Sequence, residues 1–248
     1  MSSIFDHFQD LTLTNDQHNA LEKIEAFLSS DAKIFILKGY AGSGKTTLLK
    51  GLVKCLLEEK KQFQVMAPTG RAAKILRKKV GLGATIHKTI YAFGKVETDN
   101  ETYKYIYPIR INEVEGQVLI VDEASMVSNI ESKQEFFQFG TDILLNDLLT
   151  YSKVENARSG NKIIFVGDPA QLPPVGDSVS QALNPDFFEK LELKLMLAEM
   201  TQVVRQGNNL ILKNATTIRQ LIVNPIRSEL TLDYDGGLCK NKYRRNHQ

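Results

Sequence analysis

Gly39-Tyr40-Ala41-Gly42-Ser43-Gly44-Lys45-Thr46 is the stretch whose reading decides the fold. It fits the pattern G-x-x-x-x-G-K-[ST]. It follows the apolar run of residues 33–38 (KIFILK) and opens a helical pattern over 45–60. Strand, glycine-rich turn and helix in that order are the context in which the pattern is a phosphate loop rather than a turn with an exposed lysine. The glycines let backbone N–H groups turn toward a phosphate, and the helix N-terminus adds its positive end. Lys45 offers a point charge to the β- and γ-phosphates, and Thr46 a hydroxyl to Mg²⁺. The expected nucleotide-binding residues are therefore Gly39, Tyr40, Ala41, Gly42, Ser43, Gly44, Lys45, Thr46 and Thr47. ATP and Mg²⁺ are the expected cofactors.

Outward from the loop, short apolar runs alternate with helical patterns. Residues 33–38, 63–67, 117–121 and 162–166 are β-branched or aromatic and bounded by Gly, Pro or Asp, as buried parallel strands are. Helices are predicted over 16–28, 45–60, 71–79 and about 141–156, with Thr14 or Asn15 as the cap of the first. Alternation of this kind implies βαβ units. The expected fold is α/β, a doubly wound, mostly parallel sheet. Residues 94–111 break the rhythm, alternating polar and apolar about Asp99-Asn100, and predict a protruding β-hairpin. Tyr103, Tyr105 and Tyr107 fall on one face of it at period two.

Two further elements carry chemistry. Val118-Leu119-Ile120-Val121-Asp122-Glu123 delivers two carboxylates at the end of a buried strand. Asp122 is the expected metal ligand and Glu123 the residue that polarises an attacking water. Alone such a pair can merely cap a turn; beside a phosphate loop it argues for hydrolysis. Gly167-Asp168-Pro169-Ala170-Gln171-Leu172-Pro173-Pro174-Val175-Gly176 follows the strand 162–166 and faces the ligand crevice of an α/β sheet. There Gln171 is a candidate to orient water or sense the γ-phosphate.

Composition bounds the rest. The chain has 248 residues, 42% hydrophobic and 24% charged, room for one large domain or two small ones. No run of eighteen apolar residues marks a membrane helix, and the acidic start is not that of a secretory leader. Two cysteines make no disulfide framework and fit a reducing, cytoplasmic setting. The net charge is only +2, but Lys50 to Lys79 holds nine basic residues against two acidic ones. Such a stripe serves either as solvated helix faces or as a seat for phosphates.

In order along the chain, these motifs resemble those of superfamily 1 DNA helicases of the RecD-like and Dda-like branch, whose motor domains have RecA-like folds. Leu11-Thr12-Leu13-Thr14-Asn15-Asp16-Gln17 is similar to the family's Q motif, which implies that Gln17 reads adenine. Ala67-Pro68-Thr69-Gly70-Arg71-Ala72-Ala73-Lys74 resembles motif Ia and Thr85-Ile86-His87-Lys88 motif Ib. The resemblance puts Pro68, Thr69, Arg71, Lys74, Thr85 and His87 on a single-stranded DNA track. Thr69, Arg71 and Lys74 also offer a phosphate backbone a hydroxyl, a guanidinium and an ammonium near one helix start. Val203-Val204-Arg205-Gln206 looks like motif IV, which implies that Arg205 reaches the γ-phosphate. Lys45, Glu123, Gln171 and Arg205 are thus the expected catalytic residues. The hairpin takes the place of the family's duplex-splitting pin, which implies a single/double-strand junction as substrate.

The resemblance also implies a second motor domain with two further motifs. Residues after Arg205 are too few for it, since a domain usually needs roughly 100. The expected organisation is a motor domain over 1–205, a helical stub over 206–234 with a helix near 208–223, and a disordered basic tail over 235–248. The expectation for function is a partial ATP-dependent helicase, moving 5′→3′ when complete, either as a fragment of a longer protein or with the second motor domain supplied by a partner. Two alternatives stand: a nucleotide-dependent single-strand-binding module that does not unwind, and a P-loop ATPase switch acting on proteins.

Overall fold

The computed structural model describes residues 3–94, 97–99, 104–132, 134–177, 179–204, 214, 217–218, 230–234 and 237–241. Two compact units divide between Val204 and Arg205. The first is built on six strands, β1 (Ile34–Gly39), β2 (Phe63–Ala67), β3 (Ala84–Thr85), β6 (Val118–Val121), β8 (Lys162–Gly167) and β9 (Leu195–Met200). They form an all-parallel sheet ordered β3-β2-β6-β8-β1-β9. The central strands are apolar on both faces because both faces are covered. Phe35, Leu37, Val118, Ile120, Ile164 and Val166 point to one core, with helices α1 (Asn15–Ser29), α2 (Lys45–Glu58) and α3 (Gly70–Val80). Ile34, Ile36, Leu119, Val121, Ile163 and Phe165 point to the other, with α4 (Ile86–Ile90), α5 (Leu144–Ser152) and α6 (Pro185–Lys190).

Local sequence explains the helix boundaries. Thr14 caps α1 through a capping box: its Oγ1 accepts from Gln17 N at 3.2 Å, and Gln17 Oε1 accepts from Thr14 N at 3.0 Å. Ahead of α1, a 3-10 turn at Ile4–Phe8 lays Phe8 on Gly51, midway along α2. A Cβ at Gly51 would meet Phe8 Cζ at 2.0 Å, so the close approach needs glycine there.

The protruding hairpin is part of a larger element. Strands β4 (Glu97–Asp99) and β5 (Lys104–Tyr107) pair antiparallel, and β7 (Phe137–Phe139), from beyond β6, adds in parallel to β5. Tyr107 stacks on Phe139 with ring centroids 4.9 Å apart, and both pack on the second core. Tyr105 stacks on Phe137 farther out, at 6.1 Å, and is exposed. Tyr103 lies outside the described residues.

Two expectations need correction. The helix expected over 141–156 is shorter, because Asp142 sits at φ +60° and residues 141–143 turn back onto the helix. Thr141 N and Oγ1 both donate to Asp147, a wholly buried carboxylate that also accepts from Tyr91 OH at 2.7 Å. The tail expected to be disordered from residue 235 instead contributes a strand: β10 (Leu230–Tyr234) and β11 (Gly237–Asn241) form an antiparallel hairpin in the second unit. Tyr234 pairs with Gly237, and the sequence between them, Asp235-Gly236, is a strong hairpin signal. Residues 242–248 lie outside the described residues. Of the helix near 208–223, Asn214, Thr217 and Ile218 are described, and they are helical.

Candidate active site

The parallel sheet delivers the phosphate loop, the acidic pair and the 168–176 loop to one edge, at the carboxyl ends of neighbouring strands β1, β6 and β8. β1 pairs with β8 and β9 rather than with β2, and the chain leaves β1 and β8 toward opposite edges of the sheet, the arrangement at which open α/β sheets bind ligands. Gly42 at φ +85° and Gly44 at φ +93° carry the turn from β1 into α2. Gly44 caps α2 with no side-chain bond to the first-turn N–H groups. Those donors are what an anion needs. The Ser43 hydroxyl is also buried, with no hydrogen-bond partner among the described residues.

The loop is held from three sides. Gln17, 4% exposed, donates from Nε2 to Ser43 O at 2.9 Å, while its Oε1 closes the α1 cap. A Cβ at Gly44 would sit 2.4 Å from that nitrogen. Asp168, fully buried, accepts from Ala41 N through Oδ2 and from Ala170 N through Oδ1, both at 3.0 Å. The segment after β9 completes the frame: Tyr40 N donates to Met200 O and Val204 N to Gly42 O, each at 3.0 Å. Asp16 Oδ2 accepts from Thr201 N, Thr201 Oγ1 and Gln202 N. Burial alone would push the Asp16 carboxyl up, but these bonds hold it below the ordinary carboxylate range. Lys45 Nζ donates to Gly39 O at 2.6 Å and Tyr40 O at 3.1 Å, holding its charge at the loop.

The acidic pair is strained and mutually repulsive. Glu123 occupies the left-handed region at φ +54°, ψ +40°, a conformation that costs a non-glycine residue of order 1–3 kcal/mol. Asp122 is pushed up to about 6, first by burial and then by the Glu123 charge, against a smaller opposing pull from Lys45. A buried carboxylate so disfavoured as an anion gains from a cation. Among the described residues no three His, Cys, Asp or Glu side chains form a closed metal cage. Mg²⁺ needs none, because it is held by one or two carboxylates plus substrate phosphates. Asp122, the Thr46 hydroxyl and the phosphate loop thus fit the nucleotide–metal pair. From the 168–176 loop, exposed Gln171 accepts from Ser125 Oγ at 3.0 Å, tying that loop to the residues after the acidic pair.

The model of a family described as the AAA domain matches residues 12–139. The chain belongs to the AAA domain family. Among its relatives, the ATP-dependent DNA helicase Pif1 of Bdellovibrio bacteriovorus is 30% identical over 174 residues, 67% of this chain and 34% of the relative. The ATP-dependent DNA helicase dda of Enterobacteria phage T4 is 29% identical over 212 residues, 84% of this chain and 42% of the relative. The crystal structure of Pif1 helicase from Candida albicans shares the fold, with a TM-score of 0.53 and 23% identity over 85% of this chain and 44% of that one. The chain spans less than half the length of each. The expected resemblance to superfamily 1 helicases is borne out: proteins named as ATP-dependent DNA helicases match over most of this chain, and a helicase structure shares its fold.

The residues expected to line a DNA track lie on a neighbouring part of the same edge. Thr69 caps α3, accepting from Ala72 N at 3.1 Å, and Thr85 caps α4, accepting from Lys88 N at 3.1 Å. Ala67 pairs with Thr85 across β2 and β3, so Pro68, Thr69 and Thr85 lie side by side. Arg71 and Lys74 are exposed on the first turns of α3. His87, expected to contact phosphate, is half-buried beside aromatic rings. Its ring lies 5.5 Å from Tyr91 and 5.3 Å from Phe139. Burial lowers its pKa, against an upward pull from Asp147, which disfavours the charged form. Arg205 lies outside the described residues. Sequence reasoning does not single out Asp16 or Asp168 as individual residues. The signal for Asp168 is its place right after a buried strand in Gly167-Asp168-Pro169.

Proposed function

We propose that this chain binds ATP with Mg²⁺ at the phosphate loop, hydrolyses it, and holds single-stranded DNA across the carboxyl ends of β2 and β3. The observation that carries the reading is the delivery of the phosphate loop, the Asp122–Glu123 pair and the Gln171 loop to one edge by adjacent strands. Residues 39–47 cradle the phosphates with backbone N–H groups, and Lys45 turns from the Gly39 and Tyr40 carbonyls to the β- and γ-phosphates. Asp122 and Thr46 hold the metal, which when bound neutralises charge on the phosphate oxygens. Glu123 takes the proton of the attacking water, and Gln171 lies one bond from Ser125 to report on it. Gln17 acts through the loop: with both ends of its amide engaged, each end keeps one valence for adenine.

On the DNA side, Thr69, Thr85, Arg71 and Lys74 suit a phosphate backbone, which carries affinity without reading sequence. The exposed stack of Tyr105 on Phe137 offers a terminal base pair a flat surface at a single/double-strand junction. Stepping needs a second motor domain, supplied by a partner or by more of the same polypeptide. Glu123→Gln tests the hydrolytic assignment: ATP affinity is expected to persist while turnover falls at least a hundredfold, within the usual range for a general base. Turnover unchanged in Glu123→Gln would overturn it.

A further inference from the structure

A cavity of about 320 Å³ opens between α4, the loop after β6 and the loop after β8. Ile130, Leu144, Pro174 and Val175 give it one apolar wall, and the rest of its lining is polar, with His87 and Asp142 among it. The cavity is built into the fold. Gly176, at φ +90°, brings its loop to Ile130, where a Cβ would stand 3.4 Å from Ile130 Cδ1. Asp177 Oδ2 accepts from Ser128 Oγ at 3.2 Å and from Asn129 N at 3.3 Å, which locks the two loops together. Ile130 and Val175 are exposed as they stand, so a flat occupant would remove apolar surface from water.

Among the described residues its charged lining is acidic. The carboxylates of Asp142 and Glu131 line it, and no lysine or arginine among the described residues does. His87 is held toward its neutral form by burial. Asp142 Oδ1 accepts from Phe139 N at 2.9 Å, and among the described residues no donor reaches Oδ2. The site thus calls for a neutral, planar group that brings a hydrogen-bond donor. At about 320 Å³ it stands at the small end of ligand pockets, roughly 300–1,000 Å³. That is room for one ring system.

We propose that this cavity receives one unstacked base of the bound single strand and favours a base with an exocyclic amino group. The inference rests on the reading of this chain as a single-strand binder. α4, which carries His87 into the cavity wall, starts at Thr85, beside the Pro68-Thr69 end of β2. Cytosine presents N4–H₂ and adenine N6–H₂ to the Asp142 carboxylate with two N–H groups to offer, whereas thymine has the single N3–H, flanked by the O2 and O4 acceptors that a carboxylate repels.

The test is fluorescence anisotropy of the full chain with equal-length, identically labelled oligo-dC and oligo-dT at two salt concentrations. The two differ at the pyrimidine 4-position, in whether N3 accepts or donates, and in the 5-methyl group. Oligo-dC is expected to bind about five- to tenfold more tightly, and the ratio to survive added salt, because the phosphate contribution is common to both. Asp142→Asn keeps an acceptor for Phe139 N, tolerates φ +60°, and turns the other oxygen into a donor. The ratio should then close or invert. Equal affinity of the unsubstituted chain for both oligomers overturns the pocket and leaves strand binding intact. Absence of salt-sensitive binding to either overturns strand binding and the pocket with it. A ratio unmoved by Asp142→Asn, with a matching Glu131→Gln control, removes Asp142 from the recognition.

Discussion

Replacing Asp122 by Asn should make the nucleotide-free protein more stable while abolishing its ATP turnover. The magnitude follows from the carboxyl's position. Burial and the Glu123 charge raise Asp122 from its ordinary 3.8 to about 6. The folded state therefore binds this proton more tightly than the unfolded chain does. Protonation favours folding, and stability falls as pH rises through the window from 3.8 to about 6. At about 1.4 kcal/mol per pH unit, the ionised carboxylate costs the free protein about 3 kcal/mol at pH 7.5 and about 1 kcal/mol at pH 4.5. Asn carries no charge and keeps an oxygen acceptor. Thermal melts of both proteins, free of metal and nucleotide, should separate by about 5–10 °C at pH 7.5. The gap should narrow to about a third of that at pH 4.5. With excess Mg²⁺ and a non-hydrolysable nucleotide the order should reverse, since only the carboxylate gains from the cation. An Asn variant melting at or below the parent at pH 7.5 would refute the reasoning, as would a gap that does not depend on pH.

Other substitutions probe the frame around the site. Gly51→Ala places a methyl 2.0 Å from the Phe8 ring and should cost about 1–3 kcal/mol by urea denaturation. In a Phe8→Ala background the same change should be neutral or stabilising by up to about 1 kcal/mol through helix propensity, and a loss in both backgrounds would deny the contact. Gln17→Glu keeps the acceptor for Thr14 N but sets a carboxylate oxygen against Ser43 O. It should cost about 1–3 kcal/mol and weaken nucleotide binding, read by calorimetry; unchanged affinity would confine Gln17 to the helix cap.

Much of this arrangement is legible in sequence for a physical reason. β1, β2, β6 and β8 are buried on both faces, so they read as continuous apolar runs, and the expected strands fall within a residue of the observed ones. Thr14 and Gln17, three apart ahead of an apolar helix pattern, are the capping box that forms. β9 escapes the sequence because it is an edge strand: Leu197 and Glu199 face solvent while Ala198 and Met200 are buried, and six such residues carry little period. β7 is three residues long, too short for any period, and joins β5 through contacts more than thirty residues apart. The two ends of the aromatic face of β5 have different fates, Tyr107 into the core and Tyr105 outward, which period-two alternation cannot distinguish. The same holds for His87. Its motif says nothing of its neighbours Tyr91 and Phe139, which it meets only once α4 and β7 are folded together.

The central claim is that one edge of the sheet couples ATP hydrolysis to a bound single strand. Its most direct test is Mg²⁺-dependent ATP hydrolysis by the chain with and without single-stranded DNA, beside Lys45→Ala. The account predicts turnover that rises when DNA is added and is lost in Lys45→Ala. Turnover indifferent to DNA, or retained in Lys45→Ala, would contradict it.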